Sequence, residues 1–390
     1  MCNEINSSFI ENELVHLLAN DKVTEILVFG ANNSNIDKFK SDKLKYLDCE
    51  VSIPGISIFS GLNLLFYDFI SHPLWYIKQL KIRLVHSRLR NAIRKTNLLL
   101  QKNLDKEIIL YSYWADYESL ILALLKNKGM INLAITRLHA FDIYEYGDNH
   151  GHIPFRKFVY KKLDMLMPVS IHGHNYLGKY ELKNDKIRTM YLGTNTANLG
   201  LNVCSENNVS IASCGWVGER KNIFGIFYAF RNEINVTWSH FGIGDDFNKL
   251  SDLIINKKSN LKTNLYGSVT QDQLRLNYSE VQFSCFISLS TNEGLPVSMM
   301  EAMAHGIPVV STDVGGCSEI VNENTGVLLP KNYTDEDVRK AVYLCAEKFS
   351  SREARQKIQD FIKENFDAEK NYGKFVDFLE AENKKHHEKL

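Results

Sequence analysis

Short apolar segments alternate with helix-like segments through residues 209–330, and this alternation constrains the fold more than any other feature of the chain. VSIASC at 209–214 is apolar and β-branched, and a polar loop and then NIFGIFYAF, apolar at helical spacing, follow it. Further strand candidates are NVTWSHFG, KTNLYG, QFSCFISLS, PVVST and TGVLLP, with helix candidates near 246–257, 271–279, 296–305 and 317–322. Strands that alternate with helices predict a parallel, doubly wound sheet that binds ligands beyond the carboxyl ends of its strands.

The first half of the chain shows a looser version of the same α/β pattern. Strand candidates lie at 25–30, 107–114, 131–139, 164–170 and 187–193, and helix candidates lie near 115–129, 153–163 and 171–181. A helix-like segment at 9–20 precedes the first strand candidate, whereas domains of this kind normally begin with a strand. The opening strand is therefore either missing or placed elsewhere.

The length of 390 residues is too great for one ordinary hydrophobic core and predicts two domains. The segment 194–208 is polar and without periodicity, so we predict an interdomain linker there. The first domain then covers 1–193 and the second 209–365. Residues 351–383 are predicted to be helical, and we expect residues 366–390 to form a C-terminal helix that packs back on the first domain.

Composition narrows the class of protein. The net charge is zero at pH 7, so no overall field favours a nucleic-acid partner. Seven scattered cysteines without a Cys-x-x-Cys pair are typical of reduced thiols in the cytoplasm. The segment MCNEINSSFIENEL has no apolar core of a secretory signal, and the most apolar stretch, 56–70, is too short to span a bilayer. We therefore predict a cytoplasmic protein without a transmembrane helix.

The segment STNEGLPVSMMEAMAHGIPVVSTDVGGCSEI at 290–320 is the richest in candidate functional residues. Pro296 suits the first turn of a helix, whose free amides attract anions, and Gly294 allows close approach of a ligand to the backbone. Glu293 lies at this helix mouth, and Glu301 lies one turn beyond Val297 on the same face. The two carboxylates, about 8 Å apart along the axis, suit sugar and ribose hydroxyls. Two glutamates at this spacing also fit a solvated helix end.

The string EGLPVSMMEAMAHGIPVVSTDVGG closely resembles the signature of family-4-type retaining glycosyltransferases of the GT-B fold, and SHFGIGDD and YGSVTQDQL extend the resemblance upstream. It implies two Rossmann-like, doubly wound domains that face each other across a cleft. Glu293 would contact the donor sugar, and the amides of Gly294 and Leu295 would bind the sugar and the distal phosphate. Glu301 would hold the ribose hydroxyls, and Gly315 and Gly316 would form the turn after the next strand.

A second site follows the strand at 209–214. The family usually has Gly-Arg here and a Lys five residues after the Arg, both on the donor pyrophosphate. This chain has Gly215, then Trp216 in place of the Arg, and Lys221 at the Lys position. The resemblance implies a pyrophosphate role for Lys221, with Arg220 as the second cation. A Lys-Asn pair that opens a helix is also a common solvated cap.

A third site lies in the first domain, in TRLHAFDIYEYGDNHGHIPFRKF at 136–158. It begins at a strand end and resembles the Arg-x-His-x-x-Asp region of bacterial polysaccharide glycosyltransferases. His139 would lie over donor and acceptor, Asp142 would help to fix the loop, and Arg137 would support both.

Two His-x-His pairs, formed by His150 with His152 and His172 with His174, are assigned to loops. No cysteine or carboxylate cluster completes a tetrahedral site around them. We therefore predict no metal and no cofactor, with the nucleoside-diphosphate sugar as a substrate.

The segment 72–104 holds eight Lys or Arg residues and no Asp or Glu. Apolar residues recur at helical spacing on one face, namely Leu80, Leu84, Val85, Leu89 and Ile93. Such a basic amphipathic helix can lie on anionic lipid, or its apolar face can pack on a core. We predict peripheral contact with the inner face of the plasma membrane through this segment.

These patterns predict transfer of a hexosyl group from a nucleoside-diphosphate sugar to a glycan or lipid-linked glycan in the biosynthesis of surface polysaccharide or lipopolysaccharide. The resemblance implies retention of configuration without an obligatory metal. A nucleotide-sugar epimerase of the same architecture and a non-catalytic glycan- or nucleotide-binding homologue stay open as alternatives. The atypical start and Trp216 favour the homologue, whereas His139 and Lys221 favour the enzyme.

Overall fold

The structure, a computed structural model, describes residues 8–29, 39, 41–47, 62–79, 82–101, 109–129, 131–146, 150–203, 208–256 and 259–388. Contacts divide the chain into two compact units. The first unit comprises Met1–Tyr191 and Asn371–Leu390, and the second comprises Leu192–Lys370.

The first unit is an α/β unit whose described strands all pair in parallel, β1 with β2 and β3 with β4 with β5. Its elements before the second unit are α1 Ser8–Ala19, β1 Ile26–Phe29, β2 Leu44–Leu47, α2 Leu62–Ser71, α3 Pro73–Gln79, α4 Ile82–Gln101, β3 Ile109–Ser112, α5 Tyr117–Asn127, β4 Leu133–Leu138, α6 Ala140–Ile143, α7 Arg156–Lys162, β5 Met165–Pro168 and α8 Ile171–Leu177.

Strand β4 lies between two hydrophobic cores of the first unit because its side chains alternate between opposite faces of the sheet. Leu133 and Ile135 pack with Phe375 near the C-terminus. Ala134 and Leu138 pack with residues of α4 and α5 on the other face. All six residues of β4 are buried, as expected for a parallel strand covered on both sides.

The second unit contains one parallel six-stranded sheet in the order β11-β10-β9-β6-β7-β8. Its elements are β6 Val209–Cys214, α9 Ile223–Phe230, β7 Val236–Phe241, α10 Phe247–Asn256, β8 Lys262–Gly267, α11 Gln271–Glu280, β9 Cys285–Ser288, α12 Val297–Met303, β10 Val309–Thr312, β11 Gly326–Leu329, α13 Asp335–Lys348, α14 Arg352–Asn365 and the start of α15 Ala368–His387. From residue 371 onward, α15 belongs to the first unit. Thr270 and Thr334 cap α11 and α13 by accepting a backbone amide.

The α/β alternation predicted from the sequence is confirmed, and four local predictions are wrong. The predicted strand at 187–193 shows only an isolated bridge between Ile187 and Leu166. The predicted helix at 317–322 is a single 3₁₀ turn, Cys317–Glu319, because Thr325 Oγ1 donates to Ile320 O at 3.0 Å and closes a different turn there. Strand β2 was not predicted at all.

In the other two errors, one long predicted helix is divided into two shorter helices in the structure. The helical segment 351–383 breaks between α14 and α15, where Thr194 bonds Phe366 O and the Ala368 amide, each at 2.9 Å. The backbone of Thr194 thus takes hydrogen bonds that would otherwise continue the helix through residues 366–368. The amphipathic segment 72–104 contains two helices, α3 and α4, rather than one; residues 80–81 and 102–104 lie outside the described residues.

Candidate active site

The loops that follow β6 and β9 meet at the carboxyl edge of the second sheet. These strands are hydrogen-bonded neighbours, with Ile211 paired to Cys285, although two other strands separate them in sequence. Strand order reverses at this point, because β7 and β8 lie on one side and β10 and β11 on the other. Open parallel sheets bind ligands in the crevice outside such a switch point. The predicted site loops, 215–221 and 290–296, both begin here.

The loop after β6 holds Lys221 in a defined position. Gly215 has φ +152°, and a Cβ there would lie 3.5 Å from Lys221 Cδ and Cε, so the lysine stem crosses the glycine backbone. Asn222, in the left-handed region at φ +47°, ends the 3₁₀ turn Glu219–Lys221 and opens α9. Its Nδ2 donates to Tyr333 Oη at 2.7 Å. Lys221 is therefore held against the sheet edge and is not a solvated cap.

Lys221 and Glu293 form an ion pair across the two loops, with Nζ and Oε1 2.5 Å apart. Their side chains are only 17% and 10% exposed. Burial alone would raise the pKa of Glu293, but the charge and hydrogen bond of Lys221, a hydrogen bond from Ser290 and the charge of Arg220 hold it below its ordinary value. Glu293 is thus an ionised carboxylate in a largely water-excluded place.

Arg220 lies at the same junction. Its carbonyl accepts a hydrogen bond from the Thr291 amide at 2.8 Å, which ties the two loops together. The positive charge of its guanidinium also lowers the pKa of the Glu293 carboxyl. Trp216, which stands where the family usually has Arg, is 52% exposed, and a Cβ at Gly218 would lie 3.2 Å from its ring.

The backbone at Glu293 is held by the glycine turn after β10. Gly315 has φ +55°, and a Cβ there would lie 1.7 Å from Glu293 O. Gly316 N donates to Gly294 O at 3.0 Å. The turn role implied for Gly315 therefore has a steric basis, since only a residue without Cβ fits between the two loops, and Gly316 contributes a backbone hydrogen bond.

Helix α12 begins at Val297, with Pro296 as its N-cap, and ends at Met303, so it is shorter than the predicted 296–305. Among the residues that the structure describes, the Gly294 and Leu295 amides have no hydrogen-bond partner. Leu295 is 5% exposed. These amides are available to an acceptor group at the loop.

Glu301, on α12, faces a different set of neighbours. It lines a cavity of about 10 Å³ together with Gln271, Arg275 and Tyr278. Burial raises the pKa of Glu301 to about 7, against the opposing charge of Arg275 and a hydrogen bond with Gln271. Its carboxyl therefore titrates near neutral pH.

Cys214 is the last residue of β6. Burial raises the pKa of its thiol to about 12, and the charges of both Glu301 and Lys221 act on it. Sequence reasoning did not single out Cys214, Gln271 or Arg275. The spacing of Gln271 and Arg275, four residues apart on one helix, was the available signal.

In the first unit, His139 follows β4 directly and caps the short helix α6. Asp142 Oδ1 accepts from the His139 amide at 2.5 Å, and its Oδ2 accepts from the Ala115 amide at 2.7 Å. Asp142 thereby joins the loops after β3 and β4, which is the loop-fixing role the resemblance implied. The His139 ring lies against Tyr113 at 4.8 Å and Trp114 at 6.2 Å between centroids.

Arg137 lies within β4, on the face that also carries Leu133 and Ile135, whereas His139 lies in the loop after the strand. Its Nη2 pairs with Glu13 Oε2 of α1 at 3.2 Å, and both side chains are at most 3% exposed. Its Nε donates to Tyr111 Oη at 2.8 Å, and its guanidinium lies 4.8 Å from the ring of Phe375. The structure assigns Arg137 to fastening α1 and α15 onto the sheet.

The His-x-His pairs carry ordinary hydrogen bonds. His152 Nε2 is 2.9 Å from Asp68 Oδ2, and His172 Nδ1 is 2.7 Å from Tyr144 Oη. The predicted loop position is wrong for His172 and His174, which lie in α8. Within the described ranges, no group of three or more His, Cys, Asp or Glu side chains could hold a metal ion.

A cavity of about 800 Å³ in the first unit lies away from this chemistry. It is lined at the start of β4 and β5 by Leu133 and Met165 and along α7 by lysines such as Lys157 and Lys161. His139 lies at the other end of β4. The cavity shares no residue with the predicted sites.

Comparisons with known proteins relate the chain to glycosyltransferases. Residues 204–371 match the family described as Glycosyl transferases group 1. The chain is 26% identical over 166 residues to the GtfA subunit of the UDP-N-acetylglucosamine–peptide N-acetylglucosaminyltransferase of Streptococcus parasanguinis. This match covers 40% of this chain and 32% of that protein. It is 38% identical over 61 residues to the O-antigen biosynthesis glycosyltransferase WbnH of Escherichia coli. That match covers 16% of this chain and 17% of WbnH. The chain thus spans less than a third of the length of either relative.

The whole chain resembles solved structures. The Anabaena protein HepE, in complex with UDP, superposes with a TM-score of 0.67 at 14% identity, over 95% of this chain and 96% of that one. A likeness at this identity concerns the fold. The α/β, GT-B fold implied by the sequence resemblance is confirmed, while the predicted placement of the two domains across a cleft stays a prediction.

Proposed function

We propose that the protein transfers a glycosyl group from a nucleoside-diphosphate sugar to an acceptor hydroxyl, because residues 204–371 match the family described as Glycosyl transferases group 1. The observation that carries the proposal is the Lys221–Glu293 pair at the switch point of the second sheet. One loop supplies a cation suited to a diphosphate, and the other supplies an ionised carboxylate suited to sugar hydroxyls.

The donor would occupy the crevice between these loops. Lys221 and Arg220 would bind the pyrophosphate, and the amides of Gly294 and Leu295 would bind its distal phosphate. Glu293 would accept hydrogen bonds from the hexosyl hydroxyls, and Glu301 would accept them from the ribose. The fold likeness to a protein solved in complex with UDP supports a nucleoside diphosphate.

The chemical task is to stabilise the departing diphosphate and an oxocarbenium-like sugar. Lys221 and the loop amides would stabilise the leaving group, and His139 would act on the reacting face. We assign Glu293 to holding hydroxyls and not to covalent attack, so the reaction would proceed on one face with retention. No metal and no cofactor is required by this scheme.

The acceptor we propose is a glycan or a lipid-linked glycan in surface polysaccharide or lipopolysaccharide biosynthesis. The relative WbnH, which bears an O-antigen biosynthesis name, supports this class. No helix in the described part of the chain has the length and apolarity to cross a membrane. We propose a cytoplasmic protein that touches the anionic inner face of the plasma membrane through the basic segment 72–104.

The test combines nucleotide binding with transfer. Thermal unfolding is followed with UDP, GDP, ADP, CMP and TDP, and a ligand at 100 times its dissociation constant should add about 2.7 kcal/mol of stability. The nucleotide that binds is then supplied as its sugar, and transfer is measured for the wild type, Glu293→Gln and the exposed control Glu347→Gln.

We expect the control to match the wild type and Glu293→Gln to lose transfer. Unchanged transfer by Glu293→Gln would overturn the site. Release of nucleotide without any acceptor would favour the epimerase, and nucleotide binding without turnover would favour the non-catalytic homologue.

A further inference from the structure

Helices α2 and α3 expose five large apolar side chains. The exposed fractions are 59% for Phe66, 70% for Tyr67, 56% for Ile70, 68% for Leu74 and 60% for Ile77. Scattered apolar residues are normal on a protein surface, but a group of five on two consecutive helices marks an interaction site. We call these five residues the α2–α3 apolar patch.

The α2–α3 apolar patch has helical order. Phe66 and Ile70 are four residues apart on α2, and Leu74 and Ile77 are three residues apart on α3, so each pair lies on one face of its own helix. The opposite side of both helices is attached to the unit, since Leu65 is 7% and Tyr76 is 2% exposed. The patch is therefore the outward face of two helices whose inward face is already packed.

The exposed charges on the helices α2, α3 and α4 are basic and not acidic. Asp68 is the one acidic residue between 62 and 101, and it points inward, because it accepts hydrogen bonds from Tyr76 Oη at 2.5 Å and from the Phe155 amide at 3.0 Å. Exposed cations are Lys78 beside the patch and Arg83 and Arg90 on α4. Such a surface complements negative charge next to an apolar phase.

The apolar face of helix α4 is directed mainly at the core of the first unit, although Leu84 is 46% exposed. Val85 and Leu89 are 3% and 0% exposed and pack in the core of the first unit with residues of α5. Arg88 lies 4.7 Å from the ring centroid of Tyr117 on that helix. The amphipathic pattern of α4 is thus explained by the core.

We infer that the α2–α3 apolar patch inserts into the interface of an anionic lipid bilayer, with α4 supplying only charge. The inference rests on the membrane contact proposed above and replaces its lipid-facing residues. Phe66, Ile70, Leu74 and Ile77 enter the acyl boundary, and Tyr67 lies at headgroup level, where amphipathic rings are favoured. Exposed Lys78 and Arg83 face the lipid phosphates.

The experiment is cosedimentation of the full chain with vesicles of phosphatidylcholine and with vesicles of an equimolar mixture of phosphatidylcholine and phosphatidylglycerol. The test variant carries Phe66→Ser, Ile70→Ser and Leu74→Ser. The matched control carries Ile234→Ser, Ile255→Ser and Leu344→Ser, three residues of the second unit that are 67%, 76% and 53% exposed. A charge variant carries Lys78→Gln, Arg83→Gln and Arg90→Gln.

We expect the wild type and the matched control to bind the anionic vesicles equally. The test variant should bind them about tenfold or more weakly, with an unchanged melting temperature, because its replaced side chains are exposed. A second variant, Ile70→Asp with Ile77→Asp, should bind still more weakly. The charge variant should lose the preference for phosphatidylglycerol.

Three results would overturn the inference. They also distinguish its failure from failure of the proposed membrane contact and of the proposed transferase activity. No binding of the wild type to either vesicle would reject membrane contact as a whole, while nucleotide-dependent stabilisation would leave the transferase proposal intact. Anionic binding lost only in the charge variant would keep the contact and reject the apolar patch. Equal weakening of the test variant and the matched control would show that the effect is not specific to α2 and α3.

Discussion

Lys221 Nζ and Glu293 Oε1 lie 2.5 Å apart, although the two residues are 72 positions apart in sequence. Each is predicted to contact a different part of one substrate, the lysine its pyrophosphate and the glutamate its sugar. In the structure they form an ion pair with one another. A bound diphosphate would compete for Lys221, so the same event would free Glu293 for hydroxyl groups.

Replacing Lys221 by Met should destabilise the second unit by about 1–3 kcal/mol at pH 7, because Glu293 is left as a buried carboxylate without its cation. The pKa of Glu293 is lowered in the folded wild type, so its contribution is present above its unfolded value near 4.5 and is lost as the pH falls. The deficit of the variant should therefore shrink between pH 7 and pH 4. Thermal unfolding across this range is the measurement, and a deficit independent of pH would contradict the assignment.

Glu301→Gln should make the protein more stable at pH 8 and leave it unchanged near pH 4. Burial raises the pKa of Glu301 to about 7, so the wild type loses stability as the pH rises from about 4.5 to 7 and the desolvated carboxyl ionises. The expected gain at pH 8 is about 3 kcal/mol. Chemical denaturation of both proteins at the two pH values measures it, and Glu347→Gln serves as the exposed control.

If Glu301 holds the ribose, the affinity for the nucleotide should also rise in the wild type as the pH increases through 7, because the carboxylate is the better acceptor. Calorimetric titration with the nucleotide identified by thermal shift tests this. A pH-independent affinity would remove Glu301 from the site.

Gly315→Ala should cost about 2–4 kcal/mol of stability, since the new Cβ would lie 1.7 Å from Glu293 O in addition to the strain of φ +55°. The matched control is Gly267→Ala, at φ +69° in the same unit, where the nearest atom is 3.9 Å away. That variant should cost only about 1 kcal/mol. Equal losses measured by denaturant unfolding would mean that the approach to Glu293 is not what requires the glycine.

Arg137→Met should destabilise the first unit by about 3–5 kcal/mol, because it leaves the carboxylate of Glu13 buried without a counter-charge. The double variant with Glu13→Leu should recover part of the loss. Nucleotide affinity should not change, since the contacts of Arg137 all lie within the first unit. A loss of nucleotide binding without a loss of stability would return Arg137 to the site.

His139→Gln should lower the rate of transfer by about a hundredfold or more while leaving nucleotide affinity unchanged. His174→Gln is the control, since His174 bonds Thr189 Oγ1 at 3.1 Å within the same unit. Single-turnover transfer and nucleotide titration separate the two effects. Equal rates for both variants would remove His139 from the reaction.

Local pattern in the sequence sufficed for most of the elements and for the position of the site loops, although strand β2 was not predicted. Apolar spacing predicted β6 and α9, and Gly294 with Pro296 predicted a loop before a helix. These features depend on a few neighbouring residues, whose steric and hydrogen-bonding preferences act within one turn or one strand.

The sequence did not identify Arg275 or Gln271 beside Glu301, nor the structural role of Arg137. The Arg-x-His-x-x-Asp pattern is the same whichever way the arginine points. Its direction depends on its place inside β4, on the face of Leu133 and Ile135, and on Glu13, which lies far away in sequence, whereas His139 lies in the loop after the strand.

The sequence by itself determined the α/β alternation, the carboxylates and cations available for donor binding, and the absence of acidic residues from the amphipathic segment 72–104. Only the tertiary structure decided that β6 and β9 are neighbours, that Lys221 meets Glu293, and that α4 packs inside while Phe66 and Leu74 face outward. The physical reason is that periodicity shows that a helix has an apolar face, whereas burial of that face depends on which distant element covers it.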